Sequence, residues 1–409
     1  MVVIGLGALL AMALLWPGEQ EVPAANPAQS TEVVNATLLG VEEVEGADNT
    51  GLTPGAVTVA VRARIDETGQ TVEFETTDET GSLYRAGQRV RLASISQEGL
   101  PATYFIADFR RSGPLIVLAA LFVAAVVSFG RVQGVRALLG LAITFFLIVG
   151  FMIPAILDGT DPLAVAIVGS LLIMIVTLYL SHGISAKTTA AVVGTALALL
   201  VTGVLAVIFV GAANVTGFAS EEARQANFQA GGLSLRGLLL AGIVIGGLGV
   251  LDDVTMTQAS AVFQLRRANP AARFRKLVAG ALAVGRDHVA ATVNTLFLAY
   301  AGAALPLLIL FAGSPDSLGT VVATETVAVE IIRTLVGSVG LITAVPLTTA
   351  LAAALVLGES SRLEGSATIE SKLQRDSIDQ NSIDVIESDP EWEQRLREAY
   401  RLPPRKHDE

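Results

Sequence analysis

The residues best suited to chemistry are carboxylates that stand inside or at the ends of long apolar runs. Asp252 and Asp253 follow a glycine-rich apolar segment before its helical pattern ends, and Thr255 and Gln258 add neutral oxygen atoms within about two turns. Adjacent carboxylates repel each other, and an ionised group at bilayer depth costs several kcal/mol unless it is paired or hydrated. This segment therefore predicts an ion or proton site. The competing interpretation is a helix end at the membrane interface, where the two acids cap the next helix.

A second polar group lies within residues 285–296. Asp287 and Asn294 lie seven residues apart on one helical face, and His288 lies on the neighbouring face. Asp287 at a helix start is favourable beside the helix dipole whatever its function. Asn294 lies deeper in the apolar run, so its amide needs a partner there, in a functional or a packing contact. His288 is more simply explained as an ordinary interface residue.

The third polar group precedes the last apolar run. Glu330 and Arg333 have the i,i+3 spacing that allows an ion pair on one helix, and Glu325 lies about two turns before Arg333. An amphipathic surface helix explains this pattern as well as a re-entrant segment does. Together with the first two groups, these residues are the candidate substrate or ion site.

Composition excludes most soluble classes and most cofactor chemistry. The chain has 409 residues, a mean hydropathy of +0.61 and only 16% charged residues, whereas soluble domains carry about 25%. It has no cysteine, which excludes disulfides, thiol catalysis and cysteine metal sites. The three histidines are far apart, and His182 is predicted to lie in a loop. No cofactor is predicted, and the identity of any bound metal stays open.

Long apolar runs predict a polytopic membrane protein. Seven runs are long enough to cross a hydrocarbon core of about 30 Å, and an eighth, at residues 1–16, is interpreted as an uncleaved anchor in preference to a signal peptide. Loops rich in Arg and Lys alternate with mostly acidic loops, so the positive-inside rule places the C-terminal tail in the cytoplasm. The predicted spans are 114–130, 137–157, 162–181, 188–211, 235–251, 289–312 and 335–357.

The soluble segments flank this transmembrane domain, which covers residues 114–357. Residues 17–113 alternate apolar and polar side chains between turn signals, which predicts a small closed β-barrel or sandwich outside the cell, with a structural or interaction role. Residues 358–409 form an acidic tail, predicted to be disordered with one short helix at 389–400, or to serve as a docking segment. The fold class is therefore mainly α, a transmembrane helical bundle of about seven to eight spans with a small β-barrel-like domain near the N-terminus.

Four segments carry a resemblance to a known family. They include the double-aspartate segment at 249–262 and the Arg-Asp-His segment at 285–296; the others are 177–189 and 333–340. In these segments the chain resembles the YibE/F-like family of bacterial multi-pass membrane proteins, over about residues 30–357. The resemblance implies a protein of the bacterial plasma membrane, of a kind often described as a permease. The resemblance identifies no catalytic residue and no substrate for this chain.

Two functions from different classes fit these observations. The first is a secondary transporter or permease for an unknown ion or small solute, using the buried carboxylates; since there is no Walker phosphate loop, a gradient or a partner would drive it. The second is a non-transporting scaffold or assembly factor that binds partners through its β domain and tail. An intramembrane hydrolase is disfavoured, because neither a paired-acid protease motif nor His-Glu-x-x-His occurs, so no enzyme activity is expected. The expected partners are the lipid bilayer and another membrane subunit or a second copy; a net charge of −11 argues against nucleic acid.

Overall fold

The protein consists of two compact units, which are described separately. The structure is a computed structural model that describes residues 2–18, 31–44, 55–95, 102–313, 315 and 317–387. One unit comprises Met1–Gly18 with Leu139–Glu409, and the other comprises Glu19–Leu138. Helices dominate the first unit, and a β-sheet followed by the start of a long helix makes up the second.

The β-sheet has five antiparallel strands in the order β3-β2-β1-β4-β5. Alternate residues of β2 point into the core, as the sequence pattern predicts, and Leu38, Val61, Val90 and Leu92 are fully buried there. The edge strands β3 and β5 curl towards each other, so the sheet is a half-barrel, not a closed one, over the described strands. The strands are β1 (Thr31–Glu43), β2 (Val57–Ile65), β3 (Thr71–Asp78), β4 (Arg89–Ile95) and β5 (Thr103–Phe109).

One buried carboxylate organises the connection from β3 to β4. Asp78 is 2% exposed, and its carboxylate accepts hydrogen bonds from the backbone N–H groups of Thr80, Leu83 and Tyr84, at 2.9 to 3.2 Å. Burial raises the pKa of Asp78, but the hydrogen bonds from Thr80, Tyr84 and Leu83 together outweigh it, so the pKa lies below its ordinary value. The Tyr84 ring packs on Phe109 of β5 with 5.7 Å between centroids, which brings this turn against the far edge of the sheet.

Helix α2 (Ser112–Leu147) is interrupted where the sequence predicts a turn between two spans. Arg131 has φ 48° and ψ −127°, a backbone conformation that no α-helix contains. After α2, one π-helical turn (Ile148–Met152) leads into α3 (Ile153–Leu157). The break falls between the predicted spans 114–130 and 137–157.

Five of the remaining helices, α4 to α7 and α10, begin at side chains that cap them. Asp161, Ser185, Ser220 and Ser234 each accept a hydrogen bond from the backbone N–H three residues later, which satisfies a donor that the first helical turn leaves free. Ser317 does the same for a short helix. The helices are α4 (Pro162–His182), α5 (Ala186–Ala212), α6 (Glu221–Ala230), α7 (Leu235–Ala268), α8 (Phe274–Ala303), α9 (Leu305–Ala312), α10 (Leu318–Val322) and α11 (Glu325–Glu387).

Five helical segments are long and apolar enough to cross a membrane, or six if α8 and α9, bent by 67°, count as one. Two differences separate this count from the predicted seven to eight. The N-terminal helix α1 (Val2–Leu14) has 13 residues, which is about 20 Å of helix against a core of about 30 Å. The stretch Ser112–Leu157 counts as one segment although Arg131 divides it. The count of seven to eight stays a prediction.

Helices α5 and α11 share the most extensive contact between two helices in the described part of the chain. Gly194 of α5 faces Thr348 of α11, and eight residues further along α5, Thr202 faces Gly340 of α11. As residue numbers increase along α5, those of the facing residues in α11 decrease, so the two helices are antiparallel. A side chain at either glycine would overlap the facing threonine, so the small residues allow this approach.

The two ends of the helical unit extend beyond the apolar core. Helix α1 packs on α4, where Ala8 joins the main core, and Trp16 stacks on Phe151 at 5.9 Å. At the other end α11 continues to Glu387, into the segment assigned to the tail. Residues 388–409, with the short helix predicted at 389–400, lie outside the described residues.

Candidate functional site

Helix α7 presents a packed face that contains two of the predicted site residues. Thr255 and Gln258 are 0% and 3% exposed. The Thr255 hydroxyl lies 2.6 Å from the Thr195 hydroxyl of α5. The Gln258 amide donates to the carbonyl oxygen of Ala281 in α8 at 2.8 Å and to the hydroxyl of Thr349 in α11 at 2.7 Å. These two side chains therefore join helices to one another and do not face a cavity.

Asp252 and Asp253 line a pocket of about 370 Å³ that we call the aspartate pocket. Asp253 lies on the side of α7 opposite Thr255, and Asp252 lies between the two sides. Asp253 is exposed and Asp252 is half-buried, and the Asp252 Oδ1 atom is buried with no hydrogen-bond partner. Neither carboxylate forms an ion pair within the described part of the chain. The lining residues are Leu178, His182, Gly249, Asp252, Asp253, Met256, Thr257 and Ser260.

His182 joins this pocket, although the sequence predicted a loop residue there. It is the last residue of α4, which packs along α7, so it lines the aspartate pocket from a neighbouring helix. The separation of 70 residues along the chain gives no signal for this contact. His182 does lie in one of the segments that carry the family resemblance, as the two aspartates do.

A larger cavity of about 900 Å³ lies between α6, the start of α7, the region where α8 meets α9, and α11; we call it the ion-pair cavity. Glu330 and Arg333 form a 2.8 Å ion pair in its wall, as their spacing predicts, and each side chain is 29% exposed. Tyr300 of α8 also lines the cavity; no pattern in the sequence singled it out. The acids Glu221 and Glu222 complete the charged groups in its lining.

The balance of charge in the ion-pair cavity is acidic. Three carboxylates line it, of which Glu330 is paired with Arg333 and Glu221 with Arg224, so Glu222 carries the excess negative charge. A hydrogen bond from its own backbone N–H, and then one from the Ser220 hydroxyl, lower the pKa of Glu222, so this carboxylate is ionised at neutral pH.

Glu325 has a structural role outside both cavities. Its carboxylate accepts hydrogen bonds from the backbone N–H groups of Thr216 and Gly217, at 2.8 and 2.7 Å, and from the Thr216 hydroxyl. The residue therefore ties the turn after α5 to the first turn of α11.

The second polar group of the sequence, on α8, joins neither cavity. Asp287 and Asn294 are exposed, and among the described residues the Asn294 amide has no hydrogen-bond partner. His288 is half-buried, and its Nε2 atom is likewise without a partner there. The sequence predicted that the Asn294 amide has a partner within the bundle. Among the described residues no such partner is found.

Of the ten predicted site residues, four line the two cavities, which share α7: Asp252 and Asp253 in the aspartate pocket, and Glu330 and Arg333 in the ion-pair cavity. Leu238 lines the ion-pair cavity and Asp252 lines the aspartate pocket. Fourteen residues of helix separate them, which corresponds to about 21 Å. Within the part of the chain that the structure describes, no group of three or more His, Asp or Glu side chains is placed to hold a metal ion.

The sequence pattern of the YibE/F-like protein family matches residues 118–358, which is more than half of the chain. The chain belongs to the YibE/F-like family. The matched range contains both cavities of this YibE/F-like chain and excludes its β half-barrel and helix α1. No curated protein and no solved structure matches the chain.

Proposed function

We propose that the chain is a secondary transporter or permease for a small ion or solute, and that the aspartate pocket is its substrate or ion site. The proposal depends on the surroundings of Asp252 and Asp253. Both line a pocket on an apolar helix, and neither has an ionic partner among the described residues. A carboxylate in such a place is stabilised by a bound cation or by a proton.

Other polar residues of the bundle support this assignment by contrast. Thr255, Gln258 and Glu325 all have hydrogen-bond partners on other elements, which accounts for their presence without any ligand. The two aspartates have no such explanation. Since the sequence contains no Walker phosphate loop, an ion or proton gradient, or a partner protein, supplies the energy in this proposal.

The proposal includes a location and an orientation. The apolar helices fit the bacterial plasma membrane, with the β half-barrel outside and the C-terminal tail in the cytoplasm. Six Arg and Lys residues between 266 and 286 place the end of α7 on the cytoplasmic side by the positive-inside rule. The ion-pair cavity then faces outwards and the aspartate pocket lies in the cytoplasmic half.

Flux in proteoliposomes tests the proposal. Wild-type protein is expected to carry a proton- or cation-dependent flux, and Asp252→Asn/Asp253→Asn is expected to lose it, because an amide takes up no proton and lacks the negative charge that attracts a cation. Asp287→Asn is a matched control, since it neutralises an exposed acid on α8 that lies in neither cavity. Wild-type protein that folds normally but moves nothing in a broad panel of ions and solutes would refute transport.

One observation favours the scaffold as a second candidate function. Asp287 and Asn294 are exposed on an apolar helix without partners in the described chain, and polar side chains of this kind form contacts between helices of different subunits. Crosslinking from Asn294→Cys to another membrane protein, together with the absence of flux, would support this function. The chain has no native cysteine to interfere.

A further inference from the structure

One side of α8 is exposed along the helix and carries polar side chains. Asn294 lies at its centre, and Asp287, seven residues earlier, lies only about 20° from it around the helix axis. The residues that flank Asn294 on this side are exposed as well. We call this surface the α8 face; it consists of Asp287, Ala290, Ala291, Asn294, Phe297 and Leu298.

The amide of Asn294 has no hydrogen-bond partner among the described residues. The two hydroxyls nearest to it in the sequence, those of Thr292 and Thr295, donate to carbonyl oxygens of α8 itself. Helix α8, counted together with α9, is long and apolar enough to cross a membrane. Lipid tails offer an amide neither a donor nor an acceptor, so this side chain is stabilised by contact with another helix.

A second copy of the chain offers the amide a matching partner. An asparagine amide both donates and accepts hydrogen bonds, so two Asn294 side chains can bond each other in both directions. Two copies in one membrane have the same orientation, so a two-fold axis along the membrane normal makes their α8 helices parallel and places equal-numbered residues opposite each other. Parallel helices pair along positions that repeat every seven residues, and one asparagine at such a position fixes their register.

The charges at one end of the α8 face are also self-complementary. Arg286 and Asp287 are exposed, and neither forms an ion pair within the described part of the chain. Adjacent residues of a helix do not face each other, so these two do not pair within one α8. Across a two-fold axis, the arginine of each copy can pair with the aspartate of the other, and the small side chains of Ala290 and Ala291 allow the two backbones to approach.

The apolar start of α2 is a poorer partner for this surface. Between residues 114 and 130, Ser128 is the only residue whose side chain forms hydrogen bonds, and its hydroxyl donates to the carbonyl oxygen of Ala125 in α2. This stretch therefore offers Asn294 no free donor, and it offers Arg286 and Asp287 no opposite charge.

We infer that two copies of the chain form a parallel, two-fold dimer through the α8 face, with the two Asn294 amides bonded to each other at its centre. The inference does not depend on the proposed transport function, because no residue of the α8 face lines either cavity. It also differs from the scaffold function, in which the partner is another membrane protein.

Disulfide crosslinking tests the geometry of the dimer. The chain contains no cysteine, so Asn294→Cys introduces a single thiol into each copy. Oxidation, in membranes and in purified protein, is expected to give a disulfide-linked species of twice the mass of the chain. Thr295→Cys is the matched control: it is also exposed and lies at nearly the same depth, but about 100° around the helix, where two thiols in such a dimer cannot meet.

Sedimentation equilibrium in detergent measures the contribution of the amide. Asn294→Leu is expected to weaken the dimer roughly tenfold, whereas Asn294→Gln, which keeps an amide, is expected to retain most of the affinity. The melting temperature of the monomer should not fall in either variant, because Asn294 has no partner within the described chain. Arg286→Glu is expected to weaken the dimer, and Arg286→Glu/Asp287→Arg to restore it, because the exchange recreates opposite charges across the axis.

The outcomes separate the dimer from its alternatives. A dimer that forms through Asn294→Cys but not through Thr295→Cys, and that Asn294→Leu weakens, supports the inference. Equal crosslinking at the two positions indicates random collision and overturns it. A crosslink to a protein of another mass, with none between purified copies, overturns it in favour of a different subunit. Protein that stays monomeric in every condition also overturns it, and flux through such a monomer would leave the transport proposal intact.

Discussion

The two faces of α7 differ in what their polar residues contact. On the packed face, Thr255 and Gln258 have hydrogen-bond partners in α5, α8 and α11. On the open face, Asp253 lies beside glycines, with Asp252 at the edge of that face, and neither has an ionic partner among the described residues. Both pairs come from one short stretch of sequence. The difference teaches that a polar residue in an apolar helix indicates function only when the fold leaves it without a partner.

The first prediction concerns the contact between α5 and α11, both of which also pack against α7. Gly340→Ala places a methyl group on the Thr202 hydroxyl and is expected to destabilise the fold by about 2 to 3 kcal/mol through overpacking. Thr202→Ala in the same chain removes that hydroxyl and leaves the nearest atom, the Thr202 Cβ, at 3.3 Å, so most of the stability should return. Thermal unfolding in detergent measures both.

Gly194→Ala is the matched comparison at the same contact between α5 and α11. Here the new methyl group would lie 2.9 Å from the Cβ and 3.1 Å from the Cα of Thr348, so Thr348→Ala cannot relieve the overlap. Rescue at Gly194 equal to that at Gly340 would show that the helices shift freely, and would contradict a rigid packed face.

The second prediction extends the comparison to a carboxylate that has partners. Asp78 accepts three backbone hydrogen bonds, and Asp78→Ala is expected to destabilise the β half-barrel by about 2 kcal/mol. Because its pKa is lowered in the folded state, the stabilisation is complete above the unfolded value near 3.9 and is lost as the pH falls through the folded value. Limited proteolysis of residues 71–95 between pH 3 and 7 should show acid sensitivity in the wild type. Equal sensitivity in Asp78→Ala would contradict this assignment.

The third prediction concerns Gln258 on the packed face. Gln258→Leu keeps the approximate volume but removes the hydrogen bonds to Ala281 and Thr349. The expected loss is about 1 kcal/mol, since hydrogen bonds between membrane helices contribute about 0.6 kcal/mol each. The melting temperature in detergent checks it, with Thr257→Val on the open face as the control that should leave the melting temperature unchanged.

The sequence was sufficient for features that depend on local spacing. Hydropathy located the apolar helices, alternation located strands such as Val57–Ile65, and the i,i+3 spacing predicted the Glu330–Arg333 pair. The family assignment is confirmed over residues 118–358.

The assembly of the site depended on contacts between helices, which spacing cannot give. Thr255 and Gln258 were grouped with the aspartates because they are near them in sequence, yet the rotation of α7 turns them towards α5, α8 and α11. His182 and Tyr300 entered the cavities only because α4 and α8 pack beside α7. Whether a helical residue faces a cavity or a neighbour is decided by the fold as a whole.

The most direct test compares the two faces in one assay. Cation flux per folded molecule and melting temperature are measured for Asp252→Asn/Asp253→Asn and for Gln258→Leu. The account predicts that the aspartate variant loses flux at an unchanged or higher melting temperature, and that Gln258→Leu melts lower but retains its flux. Flux that survives in the aspartate variant and disappears in folded Gln258→Leu would contradict it.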